Sequence, residues 1–250
     1  MKRVNLGFIF LIFVLSSCAR DRYVVTSIES SRIEITGEWD AKANPEMLAL
    51  LEFYRAKLDS EMKIRIGTAA QTLEKGYPQS LLSNFSADAM KEIAENLWGN
   101  VDLAVVNVGG LRSTLNKGDI TVENLYEIYS FDNRLVLLEL PGEAVKDFFD
   151  FIAFHGGEGL SKEIRLIVKD RNVEKLEIVG KPVDENKTYR IATLDYLAEG
   201  NDGMIALKEA VNRIDSNQTF RDLMIQYIRK LTTNNLEVNA KIDNRITVHP

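Results

Sequence analysis

The run "VVNVGGLRSTL", residues 105–115, ends an apolar, β-forming stretch with an asparagine, two adjacent glycines and an arginine. Glycines at a strand end bare the backbone where something must approach it closely. Asn107 offers a donor and an acceptor at once. Arg112 offers a planar fork of donors suited to a carboxylate, a phosphate or sugar oxygens. Gly109 and Gly110 leave the space between them open. Two later stretches add aromatics. "SFDN" sets Phe131 in a turn between a helix and a strand, where a large ring is either core or a stacking plate. "ATLDYLAEGNDGM" ends a strand at Tyr196 and enters a turn rich in Gly, Asn and Asp. There Asp202 is either simple turn chemistry or a ligand contact. A tyrosine and a phenylalanine on loops can clasp a flat heterocycle, because every such ring has a face that stacks.

Acid–base and metal chemistry have fewer candidates. The chain has two histidines and one cysteine among its 250 residues. His155 follows "FIAF" and precedes two glycines, so it reads as the C-terminal cap of a helix; His249 is penultimate and reads as frayed. No H-x-x-x-H pair, G-x-S-x-G motif or glycine-rich phosphate loop occurs. The residues therefore nominate no catalytic group and no metal ligand. One cysteine excludes an intrachain disulfide framework. A net charge of -6 argues against a nucleic-acid partner, which needs a basic face.

The first eighteen residues read as a secretory signal. "MKR" supplies the positive charge, "GFIFLIFVL" a short apolar run, and "LSSC" follows. The segment resembles a bacterial lipoprotein signal in which Cys18 becomes the lipidated first residue. The other reading is a free thiol beside an ordinary signal. Lipidation would hold the chain at a membrane surface of the cell envelope without spanning it.

These groups need elements to position them. Residues 19–43 form an N-terminal extension in which "YVVTSIE" and "RIEIT" read as two short strands. A domain over residues 44–250 opens with Asn44 as N-cap and Pro45 at the first helical position. In that helix Leu48, Leu51, Tyr54 and Leu58 recur at helical steps and predict an amphipathic stripe. A second helix, capped by Ser83 or Asn84, is expected to bury Ala87, Met90, Ile93, Ala94 and Leu97. "VDLAVVN" predicts a strand covered on both faces. Helices and strands alternate and then strands cluster. This predicts an α+β fold: a mixed α/β layered domain with a mixed, partly antiparallel sheet.

Four of these segments together resemble the C-terminal, substrate-binding domain of the 5′-nucleotidase family. They are "NPEMLALLEFYRAKLDSEMKIRIG", "SNFSADAM", "NVGGLRSTLNKGDITVENLYEIYSFDNRLVLLELPG" and "GKPVDENKTYRIATLDYLAEGNDGM". The second is similar to the family's N-x-x-x-D-A helix, the third to its N-G-G-G-I-R and P-F-x-N segments, and the fourth to its L-A-x-G-G-D-G segment. The resemblance implies that Phe131 and Tyr196 sandwich a nucleobase. It implies that Asn107 and Arg112 contact base and ribose or phosphate, that Asp202 binds a ribose hydroxyl, and that Asn84 and Asp88 support the pocket. Gly109 and Gly110 would admit the ligand.

The sequence departs from the pattern at named positions. Val108 replaces the first glycine of the triple and is expected to tighten the approach. Ser130 replaces a proline and Asn201 a glycine. The run "YPQSLLSN" lacks the basic residue that the family carries there. Family members also carry a metallophosphoesterase domain, with two divalent metals and a G-N-H-E motif, that finds no counterpart here. The resemblance thus implies a nucleotide- or nucleoside-recognition subunit of a split 5′-nucleotidase, with the two metals in a separate metallophosphoesterase chain and no hydrolysis by this chain alone. Two other readings stand beside it. One is a non-catalytic nucleoside-binding lipoprotein of the envelope. The other is a relict domain in which Phe131 and Tyr196 are only structural.

Overall fold

The computed structural model describes residues 24–38 and 43–249; Cys18 and the signal segment lie outside the described residues. The chain divides into two units with the boundary between Leu51 and Glu52. In the first, residues 24–36 carry no strand, against expectation, and Val24, Val25, Ile28, Ile33 and Ile35 are exposed. β-propensity alone does not make a strand, which also needs a neighbour to take its backbone hydrogen bonds and cover one face. Helix α1, Pro45–Met62, starts as its sequence predicts, with Asn44 Oδ1 accepting from the Glu46 and Met47 amides. Its apolar stripe is a correction: no residue of the helix is buried, and Leu48, Leu51, Tyr54 and Leu58 are all exposed.

The second unit is built on a five-stranded sheet. Its strands are β2 (Leu103–Val106), β4 (Arg134–Pro141), β5 (Gly159–Leu160), β9 (Thr188–Leu194) and β10 (Asn212–Thr219), in the order β10-β4-β9-β2-β5. β2 runs parallel to β9, whereas β4 runs antiparallel to β9 and β10 and β5 runs antiparallel to β2. This is the expected mixed sheet. Every residue of β2 is buried, so its unbroken apolar run belongs to a strand covered on both faces. Helix α2 (Leu81–Trp98) packs on β2, β5 and β9, and α4 (Gly142–His155) packs on β4 and β9.

Smaller sheets complete the unit. β1 (Arg65–Ala69) pairs with β3 (Gly118–Thr121), which leads into the short helix α3 (Val122–Ile128). β6 (Ile164–Lys169), β7 (Asn172–Ile178), β8 (Lys181–Pro182) and β11 (Ile246–His249) form the other, with β11 parallel to β6. His249 is therefore not frayed: it pairs with Lys169 at the end of β11. Between them run α5 (Asp195–Ala198), on which Tyr196 sits just past the strand, and α6 (Phe220–Thr233).

α2 begins three residues earlier than expected. Ser80 is its N-cap, and the Ser80 and Ser83 side chains each accept from the other's backbone amide, a reciprocal capping box. Its apolar face buries Ala87, Met90, Ile93 and Ala94 as expected, but Leu97, in the last turn, is 46% exposed.

Candidate functional site

The sheet's connectivity brings the candidate residues to one edge. β2 and β9 are parallel, so both end there. β4 is antiparallel to β9, with Leu135 opposite Leu194, so it begins there. The segment after β2 carries residues 107–112, the turn before β4 carries Phe131 and Asn133, and the segment after β9 carries Tyr196 and Asp202. Between them lies a cavity of about 280 Å³, lined by Asn107, Gly109, Gly110, Arg112, Phe131, Asn133, Tyr196 and Asp202. All seven residues named from the sequence as ligand contacts meet in this one cavity. Asn133, the asparagine of the P-F-x-N segment, joins them as a wall residue for which the sequence implied no role.

A hydrogen-bonded chain orders the polar wall. Asn107, 5% exposed, donates from Nδ2 to Asp202 Oδ2 at 2.7 Å. The Tyr196 hydroxyl donates to Asp202 Oδ1 at 2.8 Å. Because Asp202 can only accept here, it fixes the Asn107 amide with its nitrogen toward the carboxylate. Asn107 Oδ1 is buried without a protein partner. The bond to Asp202 also raises the Tyr196 hydroxyl above the usual phenol range. Asp202 sits at φ 52°, a left-handed conformation that aspartate tolerates better than most residues.

Asn107 leads into a 3₁₀ turn, Val108–Gly110. A Cβ at Gly110 would fall 2.6 Å from Asn107 Oδ1, so only glycine fits over this amide. A Cβ at Gly109 would meet nothing within 4 Å; its bareness leaves the cavity open rather than relieving a clash. Arg112 is exposed, and its guanidinium reaches the Gly109 carbonyl at 3.4 Å. No carboxylate pairs with it among the described residues, which leaves its donors for an anion or a sugar. Phe131 and Tyr196 are 52% and 39% exposed, far more than core rings.

Val108 does not narrow the cavity, contrary to expectation. Its side chain is 3% exposed and its amide donates to Glu158 Oε2 at 2.7 Å. Ser130 donates to the Glu127 carbonyl at 2.9 Å, and the Asn201 side-chain amide donates to the Tyr196 carbonyl at 2.8 Å. The side chains at 130 and 201 thus each have a local structural use.

Glu158 was not found from the sequence, where it reads as one more acid beside "GG". It is 8% exposed, and burial pushes its carboxyl up to about 7 despite the Val108 and Gly159 amides that favour its charged form; Asp202 adds to the rise. Burial, with the negative charges of Glu158 and Asp202, likewise raises the Tyr77 hydroxyl.

Asn84 and Asp88 do not line the cavity. Asn84 Nδ2 donates to Gln79 Oε1 and to the Lys241 carbonyl, both at 3.0 Å. Asp88 accepts from both terminal nitrogens of Arg245, at 2.9 and 3.0 Å, and from the Lys162 amide at 2.8 Å. Both tie α2 to the C-terminal segment. His155 ends α4, with Nδ1 3.0 Å from the Phe151 carbonyl, as expected of a C-terminal residue. Among the described residues no group of three or more His, Cys, Asp or Glu could hold a metal ion, and both oxygens of Asp202 are already bonded. A two-metal hydrolytic centre does not fit this donor set, whose groups are two aromatic rings, amides, a guanidinium and one carboxylate already bonded.

Comparison with known proteins finds relatives over most of this chain. Protein UshA of Yersinia enterocolitica is 27% identical over 205 residues, covering 80% of this chain and 37% of UshA. The 5′-nucleotidase of Mus musculus is 26% identical over 209 residues, covering 71% of this chain and 36% of that protein. The chain therefore spans well under half the length of these relatives. Among solved structures, the 5′-nucleotidase precursor of Thermus thermophilus superposes with a TM-score of 0.70 at 26% identity, over 82% of this chain and 43% of that one. The family described as "5'-nucleotidase, C-terminal domain" matches residues 65–209, more than half of the 250 residues. The chain belongs to the 5′-nucleotidase C-terminal domain family.

Proposed function

We propose that this chain recognises a nucleotide or nucleoside, stacking the base between Phe131 and Tyr196 while Asn107, Arg112 and Asp202 orient base, phosphate and sugar. One observation carries the reading: two half-exposed aromatics and three polar groups from distant stretches line one cavity of about 280 Å³. That volume suits a base with its sugar, near the lower end for small-molecule sites. Exposed rings are costly to leave in water, and stacking a base covers both.

In this reading the chain is the recognition subunit of a split 5′-nucleotidase. Phosphate-ester hydrolysis belongs to a separate metallophosphoesterase chain, whose two divalent metals would activate the water. This subunit contributes by fixing the base and sugar, so that the ester bond is held in one place. Lipidation at Cys18 would hold the pair at the bacterial cell envelope. Among the described residues no helix is long and apolar enough to cross a membrane. The second reading, an envelope nucleoside-binding lipoprotein without a catalytic partner, uses the same cavity.

Calorimetry with adenosine and AMP tests recognition. The wild-type chain is expected to bind, and Phe131→Ala or Tyr196→Ala to weaken binding by about 1–3 kcal/mol each with little change in melting temperature. No binding, or a stability loss without an affinity loss, marks the aromatics as structural and sinks both readings. A metallophosphoesterase that co-purifies from native membranes and hydrolyses AMP with this chain selects the split enzyme. Metal-dependent hydrolysis by this chain alone would refute the division of labour.

A further inference from the structure

Phe131 is a large ring on an exposed turn, and such turns are mobile unless something ties them. The tie is at the start of α6. The Phe220 amide donates to the Asn133 carbonyl at 2.8 Å. Arg221 donates from Nη1 to the Tyr129 carbonyl at 3.0 Å and from Nη2 to the Asp132 carboxylate. Its guanidinium also lies over the Tyr126 ring, 4.0 Å from the centroid. Residues 129, 132 and 133 are thus fastened to α6, and Phe131 lies between the two ends of the Arg221 fork. Arg221 and Phe131 line one narrow cleft that shares Asn107, Gly110 and Asn133 with the cavity.

The placement of Arg221 is not explained by its helix. A cation in the first turn of a helix opposes the macrodipole. Arg221 is 7% exposed, and burying a guanidinium is costly unless its donors are used. Both terminal nitrogens are used on the Phe131 turn, while Nε is buried without a hydrogen-bond partner.

We propose that Arg221 is a positioning residue for ligand stacking: its bridge from Tyr129 to Asp132 spans Phe131 and fixes that ring as one wall of the cavity. The inference rests on the nucleoside reading above and adds the residue on which its stacking depends. Arg221 itself does not touch the ligand. Lysine would not replace it, because one ammonium cannot hold the carbonyl, the carboxylate and the ring face at once.

The variant to make is Asp132→Ala in the full chain, because the Asp132 side chain is 80% exposed and its loss opens no cavity in the core, while it takes the carboxylate from the buried Arg221. The expected result is an adenosine dissociation constant of the folded protein raised about tenfold, with a lower melting temperature because the buried Arg221 has lost its carboxylate. In a Phe131→Ala background, Asp132→Ala is expected to change adenosine binding no further, since the ring it serves is gone. A ligand-free readout comes from Phe131→Trp, with the emission of the same protein carrying Phe131 subtracted. Adding Asp132→Ala is expected to lower the anisotropy of that difference signal and to raise its quenching by acrylamide. Unchanged adenosine affinity in Asp132→Ala overturns the proposal. So does an affinity loss that persists undiminished in the Phe131→Ala background, or an unchanged anisotropy. If the wild-type chain does not bind adenosine, the nucleoside reading fails, and the anisotropy comparison still decides whether Arg221 holds the Phe131 ring.

Discussion

Asn107 has its nitrogen on Asp202 and its unpartnered oxygen where a Gly110 side chain would lie. The adjacent glycines therefore have different jobs. Gly110→Ala puts a methyl 2.6 Å from Asn107 Oδ1, and the turn must shift or Asn107 must leave Asp202. The expected cost is about 1–3 kcal/mol, read as a lower melting temperature together with weaker adenosine binding. Gly109→Ala meets nothing within 4 Å and is expected to fold as well as wild type. Equal stability losses in the two variants would contradict this division. The Tyr196 hydroxyl supports Asp202 from its other oxygen, a role beyond the stacking expected of Tyr196.

Between elements, the buried Glu158 joins the loop before β5 to the turn after β2 through the Val108 amide. Its carboxyl is raised to about 7, above the ordinary value of 4.5 that it keeps in the unfolded chain. The folded state then holds the proton more tightly than the unfolded state. Stability from this group is complete below about 4.5 and is lost as the pH rises to about 7. Glu158→Gln keeps an acceptor for Val108 and removes the titration. The variant is expected to match wild type at about pH 4.5 and to exceed it at about pH 8 by about 1–3 kcal/mol. Urea unfolding at several pH values checks this; a difference that does not vary with pH rules out Glu158 as the titrating group.

For the whole molecule, the cavity depends on strand order, and strand order depends on long-range ties. Arg245 is 1% exposed and bonds Asp88 on α2 and Asp243 beside it, so the C-terminal segment is fastened to a helix far earlier in the chain. Burial opposes the charge on Arg245, yet Asp243 and Asp88 more than offset it, and its guanidinium is raised above its ordinary value. Asp88→Ala removes one of two carboxylate partners from a buried cation. The expected loss is about 2–3 kcal/mol, seen as a lower urea midpoint, with adenosine affinity of the folded protein retained. A lost affinity at full stability would instead return Asp88 to the pocket role that its motif implied.

The α+β class, most of the helices and strands, and the seven cavity residues were legible in the order of amino acids alone. Hydrophobic period, caps and turn residues are local signals, and the resemblance rested on four ordered segments. What depends on neighbours was misread. Residues 24–36 have β-propensity but no paired strand. The stripe of α1 has helical spacing but buries nothing. Val108 differs from the family glycine, yet its side chain is buried and does not line the cavity. Glu158 and Arg221 carry no motif at all, and Asn133 ends the P-F-x-N segment without a role that the segment alone implied. Glu158 and Arg221 matter through partners 50 and 92 residues away along the chain, and Asn133 through its place on a cavity wall. These points were settled by the folded chain, because burial, hydrogen-bond partners and cavity walls are properties of what the fold places opposite a residue.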